Sequence, residues 1–250
     1  MMKVNAGRVF SLLIVLLALT SCSRKYKVEG TSSIVGLDGK MLLLKMFQDG
    51  DWVTVDSAEV VHGLFSMSGC ADTTRMVTLY IDGEPIMPLV LENGKVNVTI
   101  SNSQFLANGT SLNDRLYEFI GHRNALEAQY TELVRKQSRM VLDGANADEV
   151  RERFAKEGEA LTGEVNDYIK QFISDNFDNV LGPSVFMMMC CTLPYPVMTP
   201  EIEDIMRVAP ASFKENPLVQ DYLSKAKENM QLIEEHRRLQ KNMGPATAQR

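Results

Sequence analysis

The stretch "LVLENGKVNVTI", Leu89–Ile100, decides how the first half of the chain is read. Val96, Val98 and Ile100 alternate with Lys95, Asn97 and Thr99, which is the period-two pattern of a strand with one buried face. Ahead of them Asn93-Gly94 breaks an apolar run. Asn-Gly favours a two-residue turn because both central positions take positive φ. The same punctuation recurs at Asp38-Gly39, Asp49-Gly50 and Asp82-Gly83. Between these points lie "YKVEG", "KMLLLKMF", "DWVTVDSAEV", "GLFSMSG", "RMVTLYI" and "IMPLVLE", short runs rich in strand-forming residues. Seven or eight such strands between Tyr26 and about Asn108 predict an antiparallel β-sandwich-like domain or a partly open barrel.

From Thr110 the period lengthens. Leu112, Phe119, Leu126, Leu133 and Met140 fall at every seventh residue, with Leu116 and Tyr130 in the same stripe and Arg123 and Gln137 interrupting it. This is a long amphipathic helix. Ser111 with Asp114 resembles a capping box, with Asp where Glu is preferred. "DGANAD" turns the chain. Val150, Phe154, Leu161, Val165, Tyr168, Ile169 and Phe172 then form a second stripe, weakened by Gly158 and Gly163. A short link between two long helices predicts an antiparallel hairpin. Pro183 and Pro200 suit first-turn positions, and Asn216 ahead of Pro217 opens a last helix. The fold class is therefore α+β. A β-sandwich-like domain (22–110) is followed by an α-helical hairpin (111–178), a C-terminal helical region (179–243) and a tail (244–250).

The first 21 residues read differently. Lys3 and Arg8 stand without an acid before "VFSLLIVLLAL", Val9–Leu19. As a helix that run spans roughly 16 Å, against about 30 Å of hydrocarbon. A positive start and a short apolar core describe a cleaved signal peptide. The run ends in Leu19-Thr20-Ser21-Cys22, which resembles a bacterial lipobox. The expectation is a lipoprotein, with diacylglyceryl and palmitate-type acyl chains on Cys22 that hold it stably in a membrane. Cleavage before Cys22 removes 21 residues, Lys3 and Arg8 among them. It leaves 229 residues and takes the net charge from −6 to −8. An acidic chain without a basic stripe argues against nucleic acid as a partner.

The motifs "YKVEGT", "VDSAEVVHGLFSMSG", "LVLENGKVNVTI" and "NGTSLNDRLYEF" together resemble the family called domain of unknown function 4369. That family occurs in lipoproteins of the Bacteroidota, often ahead of a thioredoxin fold in TlpA-like or AhpC-like thiol-disulfide oxidoreductases. "FISDNFDNVLGPSVFMMM" resembles the helical segment that joins the two in those relatives. The resemblance implies the accessory region. It carries over no catalytic residue, because the W-C-x-x-C of the thioredoxin part does not occur in this sequence. The basic "SRKYK" after Cys22 also lacks the acidic cluster typical of surface-exported lipoproteins of that phylum, so a periplasm-facing protein is expected.

Few residues invite chemistry. Beyond Cys22 the cysteines are Cys70, Cys190 and Cys191, the candidates for a disulfide or redox role. "MMMCC", Met187–Cys191, offers soft ligands suited to Cu(I), but neighbours on a helix diverge by about 100° and Met and Cys are common core residues. No metal site or cofactor is therefore assigned. His62, His122 and His236 are far apart. Asp56-Ser57-Ala58 and Asp72-Thr73-Thr74 resemble the acceptor pattern of Bacteroidota O-glycosylation, with Ser57 and Thr73 as the modified residues. No nucleophile, base and orienting group are proposed as a set, so a non-enzymatic protein is expected. Its expected role is binding or scaffolding of a protein partner at the cell envelope. The alternative is a non-catalytic accessory of thiol-disulfide chemistry that works with a thioredoxin-like partner.

Overall fold

The computed structural model describes residues 24–48 and 50–242. Leu19, Thr20, Ser21 and Cys22, and the turn residue Asp49, lie outside the described residues. The chain divides into two compact units between Asn113 and Asp114.

The first unit holds eight strands: β1 (Lys25–Ser32), β2 (Met41–Gln48), β3 (Asp51–Glu59), β4 (Leu64–Cys70), β5 (Arg75–Ile81), β6 (Glu84–Leu91), β7 (Gly94–Ile100) and β8 (Phe105–Asn108). They form two four-stranded sheets, ordered β4-β1-β7-β8 and β3-β2-β5-β6. All pairings are antiparallel except that of β1 with β7, which is parallel. Alternation fills the core as the pattern predicts: Tyr26 and Val28, Leu42 and Leu44, Phe65 and Met67, Val77 and Leu79, and Val96, Val98 and Ile100 are all buried.

The turns depart from expectation in instructive ways. Asp82-Gly83 has both residues at positive φ (51° and 88°) and joins β5 to β6 as a hairpin. At Asp38-Gly39 only the glycine is positive, and Asp38 is extended at φ −61°, ψ 130°. Asn93-Gly94 is not a hairpin turn, since β6 and β7 belong to different sheets. Its polar residues are engaged elsewhere. Asn93 Oδ1 accepts from the backbone N–H of Lys25 (3.1 Å), and Glu92 Oε1 accepts from that of Leu112 (2.8 Å). A further turn, not read from the sequence, is His62-Gly63, where both residues have positive φ (52° and 71°) between the bridged Val61 and Leu64.

Two glycines of the β-unit are required by their cross-strand partners. Gly30 of β1 stands opposite Phe65 of β4, and a Cβ on Gly30 would lie 1.9 Å from Phe65 Cζ. Gly69 of β4 stands opposite Tyr26 of β1, and its Cβ would lie 2.7–2.9 Å from the Tyr26 ring and hydroxyl. The two strands thus exchange aromatic-on-glycine contacts, each ring lying where the partner strand lacks a side chain. The Tyr26 hydroxyl also donates to Asp56 Oδ2 (2.8 Å), which ties β1 to β3 across the two sheets.

The second unit is helical. It contains most of α1 (Ser111–Leu142), then α2 (Ala147–Ser174), α3 (Leu181–Cys190), α4 (Pro200–Val208), α5 (Ala211–Lys214) and α6 (Pro217–Asn242). Helices α1 and α2 form the antiparallel hairpin. Its link is short because it serves both ends. Gly144 and Ala145 donate to the carbonyls of Val141 and Met140 (both 3.1 Å), closing α1 with a Schellman motif, and Asn146 Oδ1 then accepts from Asp148 and Glu149 to cap α2. The two glycines do not break α2, which runs through Gly158 and Gly163. Ser111 is already helical, and the distant Glu92 carboxylate accepts from the backbone N–H of Leu112 in the first turn. Thr199 and Asn216 cap α4 and α6 with Pro200 and Pro217 in the first turn. Phe213 packs edge-on against Phe177 and Phe186, and Phe186 against Tyr222, in the core of the C-terminal helices.

Candidate functional site

The residues that carry the family motifs are occupied with holding the fold. Asn113 is fully buried. Its amide accepts from the Val90 N–H (3.0 Å) and donates to the Val90 carbonyl and Thr110 Oγ1 (both 2.8 Å). Strand β6 is the outer strand of its sheet, and the side-chain amide acts there as one peptide of a missing neighbour. Glu92, Asp56, Gly30, Phe65 and Gly69 have the structural roles given above. The sequence patterns in "LEN", "DS" and "LN" therefore read as fold-determining rather than as a reaction centre.

The β-unit does present a broad groove of about 560 Å³ over β1, β4 and β7, with Glu29, Thr31, Ser66, Asn97, Val61 and Leu64 in its lining. Glu29 sits between Lys27 and Lys95 and forms an ion pair with each. The hydrogen bond from Lys27, and then that from Lys95, hold its carboxyl down to about 2. It stays ionised at neutral pH and is unsuited to donating a proton.

The candidate thiols are divided between the two units. Cys70 is exposed at the end of β4, opposite Lys25, in the β-unit. Cys190 and Cys191 lie at the end of α3 in the helical unit. All three are free. Cys190 points into the core and Cys191 outward, as consecutive residues on a helix must. Burial pushes the Cys190 thiol up to about 12, partly offset by the Tyr222 hydroxyl beside it. A thiol so protonated is a poor nucleophile. Among the described residues no group of three or more His, Cys, Asp or Glu is placed to hold a metal ion. Met187, Met188 and Met189 are half-buried around the same helix.

The glycosylation candidates are both accessible. Ser57 is exposed on β3, the edge strand of its sheet. Thr73 is exposed in the β4–β5 loop, where its hydroxyl accepts from Arg75 Nε (2.7 Å).

The helical unit holds a polar knot that sequence reasoning missed. Asn176, 1% exposed, donates to the Phe172 carbonyl (2.7 Å) and accepts from Arg115 (2.9 Å) and Asn179 (3.0 Å). Gly182 packs so close that a Cβ would lie 2.3 Å from the Asn176 carbonyl oxygen. A cleft of about 190 Å³ beside the knot is lined by Arg115, Glu118, Tyr168, Gln171 and Asp175 among others. The signal was present in "FISDNFDNVLG", where two asparagines interrupt an apolar window. Farther along the hairpin, α1 exposes Tyr130, Val134 and Val141. They are spaced to share one helix face. Beside them a groove of about 320 Å³ is lined by Tyr130, Leu161 and Val165.

Comparison with known families gives a match to the β-unit. Residues 26–116 match the family described as domain of unknown function (DUF4369). The first unit of this chain is a DUF4369 domain. The matched span runs from Tyr26 to Leu116. It covers both sheets and the first turn and a half of α1, including the Asn113 lock. It takes in Tyr26, Gly30, Phe65 and Gly69, so the aromatic-on-glycine exchange is a feature of the DUF4369 domain of this chain. The helices beyond residue 116 lie outside the matched span. No curated protein matches the chain.

Proposed function

We propose that this chain is a periplasm-facing lipoprotein, anchored through Cys22, that binds or scaffolds a protein partner at the cell envelope and performs no chemistry itself. The observation that carries the binding role is the exposed apolar face of Tyr130, Val134 and Val141 beside the hairpin groove. Exposed apolar surface at helical spacing, rimmed by charge, is the usual form of a helix-recognition site. The basic "SRKYK" and the Leu19–Cys22 pattern support the anchored, periplasmic setting. No described helix is long and apolar enough to cross a membrane.

The test has two parts. Intact mass of the protein from native membranes should show an N-terminus at Cys22 carrying acyl chains. A photo-crosslinker placed at Val134 in cells should give one discrete adduct that is absent when it is placed at Glu132, on the other side of the helix. Equal labelling from both positions, or turnover of disulfide substrates by the purified mature protein, would overturn the binding reading.

A second reading is favoured by the exposure of the free thiols Cys70 and Cys191. An accessory to thiol-disulfide exchange would use one of them to meet a thioredoxin-like partner. Trapping of mixed disulfides in cells, lost in Cys70→Ser or Cys191→Ser, would put this reading first.

A further inference from the structure

We propose that the end of the β-unit where β1 begins is a docking surface for an anionic phospholipid bilayer. The inference rests on the lipid-anchor reading above and adds to it a face and an orientation.

Strand directions define what lies at this end. Lys25 opens β1 and stands opposite Cys70 at the end of β4, while Tyr26 stands beside Gly94 at the start of β7. The loop after Cys70 leads to Arg75, which opens β5 opposite Leu91 at the end of β6. Lys45 pairs with Thr78, so the register carries the tip of the β2–β3 hairpin, Gln48 and Asp51, down to the level of Arg75. All of these belong to one compact unit.

Two kinds of side chain gather there. Arg24, Lys25, Arg75 and Lys95 are exposed cations. Phe47 and Trp52 are exposed aromatics, 48% and 51% accessible, packed edge to face at 5.6 Å on the hairpin. The acids at this end are Asp51 and Asp72 on the loops, with Asp49 beside them in sequence, Glu92, which caps α1, and Glu29, which pairs with Lys95 and Lys27 and leaves Arg24, Lys25 and Arg75 as the cations without a carboxylate partner among the described residues. The cations lie chiefly along β1 and β7, in a chain that is otherwise acidic. Basic residues near a membrane surface are drawn to anionic headgroups, and tryptophan is enriched at that depth.

The length of chain outside the structure fixes the occupant. Only Ser23 and Arg24 separate Cys22 from the first residue of β1. Three residue steps reach at most roughly 11 Å. Headgroups bring a core of about 30 Å to about 40–45 Å in all, so the polar layer of one leaflet is about 5–8 Å deep and at most about 6 Å of tether extends beyond it. An acyl chain on Cys22 therefore draws this end of the domain onto the headgroups, leaving no room for a protein layer between.

Trp52 is the only tryptophan, so its emission reports on this surface alone. The experiment uses the full chain, purified from bacterial membranes and reconstituted into vesicles containing phosphatidylglycerol brominated near the headgroup. The expected result is loss of most of the Trp52 emission, shielding from aqueous iodide, and less of both in vesicles of phosphatidylcholine alone. Lys25→Glu with Lys95→Glu should reduce the quenching while the protein still floats with the vesicles. If the protein floats but Trp52 stays unquenched by bromolipid, the surface is overturned and the anchor stands. Shielding from iodide without quenching by bromolipid means that protein covers the patch, and also overturns it. A protein that neither floats nor shows quenching overturns both readings.

Discussion

Replacing Gly30 by Ala tests whether the aromatic-on-glycine exchange holds the two strands together. The new methyl would lie 1.9–2.4 Å from three atoms of the Phe65 ring, which is itself 5% exposed and packed in the core. The ring must lift, and overpacking of this kind costs about 1–3 kcal/mol. Phe65→Ala alone should cost about 3–5 kcal/mol through lost burial and the cavity left behind. In the double variant the methyl enters vacated space. Gly30→Ala should then be neutral or stabilising by up to about 1 kcal/mol, because alanine restricts the unfolded chain more than glycine does. The coupling between the two positions is therefore about 1–4 kcal/mol. Urea unfolding followed by the single Trp52, which belongs to the β-unit, measures all four corners of the cycle. Should Phe65→Ala leave no folded baseline, Phe65→Leu gives a smaller coupling of the same sign. A Gly30→Ala cost that is the same with and without the ring would refute the reasoning.

Four further outcomes are expected. Asn113→Ala should destabilise the β-unit by about 3 kcal/mol or more, since it leaves the buried Val90 N–H and carbonyl without the amide that satisfies them; this is read from the same urea curves. The Glu29 carboxyl is held down to about 2 by Lys27 and then Lys95, below its ordinary value of 4.5. A group lowered on folding stabilises above its unfolded value and loses that contribution as pH falls. The stability difference between wild type and Glu29→Gln should thus be constant above about pH 5, shrink between 4.5 and 2, and weaken in 1 M salt at neutral pH. Gly163→Ala, in an α2 position with open space around it, should stabilise the helical unit by about 0.5–1 kcal/mol in thermal unfolding followed by circular dichroism. Alkylation of the native protein at pH 8 should modify Cys70 and Cys191 and spare Cys190 until the chain is unfolded, as mass mapping of the peptides would show.

The strands and long helices were legible because each repeats its signal many times. Val96, Val98 and Ile100 need only their neighbours to be read. What the sequence hid was every feature that depends on a distant partner. Nothing local in "NGKVNV" distinguishes a hairpin from a change of sheet, because the decision is made by the parallel pairing of β7 with β1. Glu92, which caps the first turn of α1, lies on the far side of β7 and β8 in sequence, where no local pattern around Ser111 points to it. His62-Gly63 makes its turn with a histidine ahead of the glycine in place of Asn or Asp, a residue that also takes positive φ but is a less familiar turn signal. The thiols of Cys190 and Cys191 were adjacent on paper. Helical geometry sends one into the core and the other out, a separation that neighbouring numbers conceal. The cleft beside Asn176 was invisible for the same reason as Glu92, since Arg115 comes to it from another helix.

The position of β1 has a mechanical consequence. It is the first strand of the domain, yet it lies inside its sheet, with seven residue pairs to β4 on one side and seven to β7 on the other. A pull on its N-terminal end runs along the strand, so both ladders are loaded in shear and their hydrogen bonds must break together. An edge strand pulled the same way would peel off one bond at a time. A load that enters the domain through Lys25 thus meets two ladders of seven residue pairs each before β1 can leave.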